Sequence, residues 1–263
     1  MTTKTRDPVV VHWFRKGIRL HDNPGLLHAL SIAKKGKIYP VYIVDGNCYQ
    51  LLKCSVNRAK FLLECVKDLD NSLRACGSRL YVMSGDPVKV LPKLWDEWGV
   101  THLTHEADET GEPYATVRDE GVRAAAEKAG VEIQQFYSET LLPLGDVPGG
   151  YVRNCGGNAA GAPGTMTSFQ GLLSRINGGR IAQPLDAPKK EDFPKMIDEY
   201  KDKYLPLTHP CDIEWPRGLN KNEIGPIWNR ADCDDNSLSP IVKGGETMAL
   251  AKLEQSITQC PDW

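Results

Sequence analysis

Residues Val9–Leu30 read VVVHWFRKGIRLHDNPGLLHAL, and the rest of the chain is read outward from them. Val9 to Phe14 is a run of β-branched and aromatic residues, long enough for one buried strand and too short for a buried helix. It breaks off at Arg15-Lys16-Gly17-Ile18-Arg19, three cations in five residues. Asp22 or Asn23 ahead of Pro24 then supplies a capping side chain with proline in the first helical turn. The stretch is strand, basic loop, helix. Such a unit opens a parallel α/β sheet, whose ligands sit beyond the carboxyl ends of the strands. The loop has one glycine instead of the GxGxxG of a dinucleotide fingerprint, and no GK[ST] phosphate loop.

The pattern then repeats. Lys37–Val44 is a second strand, ending at Asp45. Ser55–Cys76 is a long amphipathic helix with Phe61, Leu62, Cys65, Leu69 and Leu73 at helical spacing, stopped by Gly77. Arg79–Met83 is a third strand, and Ser84-Gly85-Asp86-Pro87 is again a turn, a cap and a proline before a helix to about Trp98. Thr101–His105, a helix over Pro113–Ala129, and Val131–Tyr137 complete the series. Strands alternating with helices predict a doubly wound five-stranded parallel sheet of the α/β class, because parallel strands need crossover helices.

From Ser138 the texture changes, and an irregular connector with a few helices is expected. Leu144–Gly164 holds too many glycines and prolines for a continuous element, and its Asn154–Gly161 string reads as linker. Thr167–Gln170 is a capping box for a helix reaching Gly178-Gly179. A short helix is expected over Glu191–Lys203, and residues 204–240 read as irregular. Lys243-Gly244-Gly245-Glu246-Thr247 starts a last helix to Gln259, with Glu246 favourably near its amino end. Its apolar Met248, Leu250, Leu253 and Ile257 have little following chain to bury them. They are expected to dock on the α/β domain, on another chain, or on nothing. The divisions are 1–137, 138–240 and 241–263.

The 263 residues are 41% hydrophobic and 25% charged with net charge −2, which gives no overall reason to expect nucleic acid or an anionic membrane. Residues 1–37 hold eight Lys or Arg against two acids, so an anion site belongs near the front. The opening MTTKTRDPVV lacks the apolar core of a signal peptide and no stretch approaches the ~20 apolar residues of a membrane span. An intracellular location, cytoplasm or nucleus, is expected, with no membrane association. Eight cysteines show no CxxC pair or zinc-like spacing, so reduced thiols and no metal are expected. His12 reads as a hydrogen-bonded core residue, and His102 and His105, three apart on a strand, face opposite sides. No catalytic constellation for hydrolysis is present.

As a string, Trp13–Leu27 (WFRKGIRLHDNPGLL) closely resembles the amino-terminal signature of the cryptochrome/photolyase family, most of all animal cryptochromes and (6-4) photolyases. Ser84–Pro87, Glu112-Pro113-Tyr114-Ala115 with Arg118-Asp119, Met166–Gln170 and Lys243–Thr247 follow in the family's order. The resemblance implies a Rossmann-like first domain that can hold a folate or deazaflavin antenna, and a larger helical second domain that holds FAD. Members repair pyrimidine photoproducts or signal in blue-light and circadian responses. The last helix corresponds to the start of the flavin domain, so most of that domain reads as truncated. The TSxLSPyL-like flavin motif and the tryptophan chain have no counterpart here, and Asn236–Pro240 precedes the last helix where the motif would follow it.

FAD and autonomous photochemistry are therefore not expected. DNA is not expected as a partner, because the second domain supplies the DNA-facing groove in relatives, and a DNA photolyase half that takes FAD from another chain is the lowest-ranked alternative. Action is expected through a protein partner, by way of the carboxyl-terminal helix. An alternative is an antenna or nucleotide-type ligand held at the strand ends by Arg15, Lys16, Arg19, Asp45, Asp86, His105 and Glu106. The cations would suit folate carboxylates and Glu106 a pterin edge. His105 stands where folate-using relatives carry Asn, and Glu109-Thr110-Gly111 adds length to that loop. The plainer alternative for the cations is a solvated loop anchored by acids.

Overall fold

The opening apolar run becomes β1 (Val9–Phe14), and its period of two serves both faces of a sheet. Val10 and Phe14 enter one core, Val11 and Trp13 the other, so a strand apolar on both sides must be covered on both sides. The computed structural model describes residues 7–46, 55–108, 112–139, 165–175, 182–195, 198–213 and 242–259. In chain order β1 is followed by α1 (Pro24–Ala33), β2 (Lys37–Val44), α2 (Val56–Ala75), β3 (Tyr81–Ser84), α3 (Pro87–Trp98), β4 (His102–Glu106), α4 (Pro113–Ala129) and β5 (Glu132–Phe136). The sheet order is β3-β2-β1-β4-β5, with every pair parallel.

Helices α1 and α2 cover the first core, where Leu26, Leu30, Val66, Leu69 and Leu73 meet Val10 and Phe14. Helices α3 and α4 cover the second, where Leu91, Leu94, Trp98, Val122 and Ala126 meet Val11 and Trp13. The doubly wound sheet is as the alternation implied. Asn23 is the cap of α1, its side chain accepting the Leu26 amide at 2.9 Å, and Asp86 caps α3.

Two expectations need correction. In α2 the buried line is Ala59, Leu63, Val66, Leu69, Asp70 and Leu73, so Phe61 stays 40% exposed and Cys65 is half-buried. A buried acid hid this face: Asp70 accepts the Leu80 amide at 3.0 Å and Arg74 Nε at 2.8 Å. The helix expected over Glu191–Lys203 is a 3-10 turn at Lys190–Asp192 followed by buried Phe193 and half-buried Pro194. Its last residues are instead ordered by Arg79, which donates to the carbonyls of Tyr200 at 2.6 Å and Lys203 at 2.7 Å. Arg79 Nε also lies 2.9 Å from Asp198, a charge contact without hydrogen-bond alignment. The Tyr204 carbonyl then takes the Val82 amide at 2.8 Å and covers the β3 edge. Arg79→Ala should cost about 1–3 kcal/mol in urea unfolding, since it strands these carbonyls, and should speed amide exchange at Val82. Unchanged exchange at Val82 would show that the segment holds itself.

Helix α5 (Met166–Arg175) begins one residue before the expected Thr167 cap. A 3-10 turn follows at Pro210–Asp212, and the last helix, α6, spans Glu246–Gln259. The expected segments at 144–164, 176–181 and 214–241, and the added loop 109–111, lie outside the described residues. Among the described residues no helix is long and apolar enough to cross a membrane, and no group of three or more His, Cys, Asp or Glu could hold a metal ion.

Candidate functional site

Pairing β1 beside β4 in parallel brings the loops after both strands together at one end of the sheet. Arg15, the first residue past β1, turns inward. Its Nη1 donates to the Glu106 carbonyl and to Asp119 Oδ2, each at 2.9 Å, and Nη2 lies 3.8 Å from Asp108. The guanidinium also stacks 5.0 Å from the Trp13 ring centroid. Its side chain is 6% exposed, so these contacts are desolvated. Burial pushes the Asp119 carboxyl up, and Arg15 beside it pulls the other way.

Lys16 Nζ lies 2.8 Å from Asp108 and 3.5 Å from Glu139. Partial burial works to lower Lys16, but the two carboxylates raise it overall. Arg19 donates to the carbonyls of Ser138 at 2.8 Å and Asp22 at 3.1 Å. Glu106, buried at the end of β4, accepts the Gly17 amide at 2.8 Å and the Ser138 hydroxyl. Gly17 packs so close that a Cβ there would overlap the Glu106 carboxylate.

His105 is buried against the same knot. Burial first, and then the Arg15 charge, lower it to about 4, so it is neutral near pH 7. With its proton on Nδ1 it donates to the Glu106 carbonyl at 2.8 Å. His12, one strand over, is a core residue as expected: its Nδ1 meets Thr104 Oγ1 at 2.8 Å, and burial lowers it to about 3.

Five of the seven expected residues, Arg15, Lys16, Arg19, His105 and Glu106, thus gather around one knot. Asp45, past β2, accepts the Tyr114 hydroxyl, and Asp86, past β3, takes the Val88 amide at 3.0 Å as a helix cap. The sequence reading missed Asp108, Asp119 and Glu139, which balance the cations, and Ser138, whose carbonyl accepts from Arg19 and whose hydroxyl donates to Glu106. Asp119 was visible only as part of the Arg118-Asp119 motif.

Most described polar groups of the knot are committed to one another. Among the described residues, Arg118 Nη2 is a buried donor there with no hydrogen-bond partner. Chemically, the arrangement ties two strand-end loops and the start of the connector into one unit.

A family model described as DNA photolyase matches residues 10–170. Cryptochrome-1 of Macaca fascicularis is 36% identical over 248 residues, which is 94% of this chain and 38% of the relative. Cryptochrome-2 of Gallus gallus is 34% identical over the same share of this chain. A bacterial class III photolyase from Agrobacterium tumefaciens superposes with a TM-score of 0.65 at 21% identity, covering 98% of this chain and 46% of that one. The chain spans well under half the length of the curated relatives it matches.

Proposed function

Because the chain belongs to the cryptochrome/photolyase family, matched over residues 10–170, we propose that it works as the family's α/β domain in a partner-binding role, docking a helical protein surface on α6 without flavin photochemistry of its own. The observation that carries this reading is α6 itself. Leu250, Leu253 and Ile257 fall on one stripe at i, i+3, i+7 and are 42%, 57% and 63% exposed. A helical occupant is what the family resemblance favours, since the domain that such a helix opens in the family is helical, and this chain covers 38% of the Macaca fascicularis relative.

Two measurements test it. Purified chain should show no stoichiometric flavin in its visible spectrum; one FAD per chain would overturn the reading. The isolated helical domain of the Macaca fascicularis relative should bind the chain, and Leu253→Glu should weaken that binding about tenfold or more. Equal affinity of both proteins would remove α6 as the docking face.

A further inference from the structure

Helix α6 is anchored by its first turn, and the anchors come from two distant places. On one side is the loop after β1. Glu246 Oε2 accepts the Leu20 amide at 2.8 Å, and Oε1 accepts the His21 amide at 2.9 Å and lies 3.0 Å from His21 Nδ1. On the other side is α2. Glu64 Oε2 accepts the Gly244 amide at 2.7 Å and Asp68 Oδ2 the Thr247 amide at 3.0 Å, the latter capping the helix.

The glycines are dictated by this fit. Gly245 has φ +119°, and a Cβ there would stand 2.6 Å from Asp68 Cβ. A Cβ on Gly244 would strike the Phe61 carbonyl and come within 2.9 Å of the Cys65 sulfur. Four backbone amides are thus received by three carboxylates. No residue of α6 is buried, and a helix of 14 residues without a packed face is marginal in water.

We propose that residues 244–247 are a latch through which the α/β domain sets the position and direction of α6, with Glu246 as the positioning residue. The carboxylate matters as a two-oxygen acceptor: it joins Leu20 and His21 to the helix's own positive end, which ordinary burial does not do here. The apolar stripe is then aimed before any partner arrives. The proposal deepens the docking reading above, and the latch itself is testable on the free chain.

The test is amide hydrogen exchange on the full chain, comparing wild type with Glu246→Gln and Gly245→Ala. Glutamine keeps the shape but offers one acceptor oxygen, so exchange at Leu20 and His21 should rise about tenfold, with residues 250–257 following. Gly245→Ala should loosen 250–257 as well, by strain in the turn. Protection in β1 should stay unchanged in both variants, which shows that the domain remains folded. Fast exchange at Leu20 and His21 with an unaltered α6, or no change at either place, overturns the latch. Failure of the helical partner to bind wild type, with the exchange changes as stated, removes the docking reading and leaves the latch standing.

Discussion

Arg15→Ala is expected to lower the stability of the chain by about 3–5 kcal/mol, a large part of the ~5–15 kcal/mol that holds an ordinary domain together. The side chain is nearly closed to solvent, so water cannot take over its duties. Its removal leaves the Glu106 carbonyl and Asp119 facing an apolar gap beside Trp13. Asp119 is already pushed up by burial, and without Arg15 it would keep only the Arg118 Nε contact at 2.9 Å against that burial. Asp119→Asn should therefore recover part of the loss in the Arg15→Ala background while costing stability in wild type, the coupling of a shared desolvated pair. Urea unfolding of the four proteins measures this. A loss under about 1 kcal/mol for Arg15→Ala would mean that the knot is a hydrated surface feature.

Acid should weaken the fold well before its carboxylates are neutralised. In the unfolded chain His12 and His105 take up protons near pH 6.5; in the folded protein they do so only at about 3 and about 4. Between those limits the unfolded state binds more protons, so stability falls as pH falls. The histidine contribution is complete above pH 6.5 and declines by up to about 1.4 kcal/mol per pH unit for each residue. His105 stops contributing to the slope near pH 4 and His12 near pH 3. Asp119 and Glu139, raised by burial, act in the opposite sense where carboxylates titrate. Urea midpoints from pH 7.5 to 4.5 should show the decline, and His105→Gln should halve its slope. A wild-type slope below about 0.5 kcal/mol per unit would mean that both imidazoles reach water in the native state.

Local chemistry made the α/β half legible. The β-branched runs, Asn23-Pro24 and Asp86-Pro87 each fix an element through its own neighbours, and the structure places those elements where the pattern does. Long-range partners were not legible. Asp70 looks like a surface acid in sequence, yet it lies on the core face of α2 because the Leu80 amide needs an acceptor there. The stretch 191–203 has helical composition, but Arg79, more than a hundred residues earlier, takes its carbonyls. The strand-end cations were foreseeable because topology gathers strand ends. Their partners were not, since Asp108, Asp119 and Glu139 reach in from different segments.

The position of β1 also bears on biosynthesis. It is made first, yet it lies between β2 and β4, and its pairing with β4 waits for His102. At the usual ~5–20 residues per second, the ribosome needs roughly 4–18 s after Phe14 to deliver that neighbour. Throughout that interval Val9–Phe14 presents a bare, apolar edge, the kind of segment that pairs with stray chains and that chaperones shield. Messages ending before β4 should therefore yield insoluble fragments, whereas those reaching past Phe136 can close the sheet.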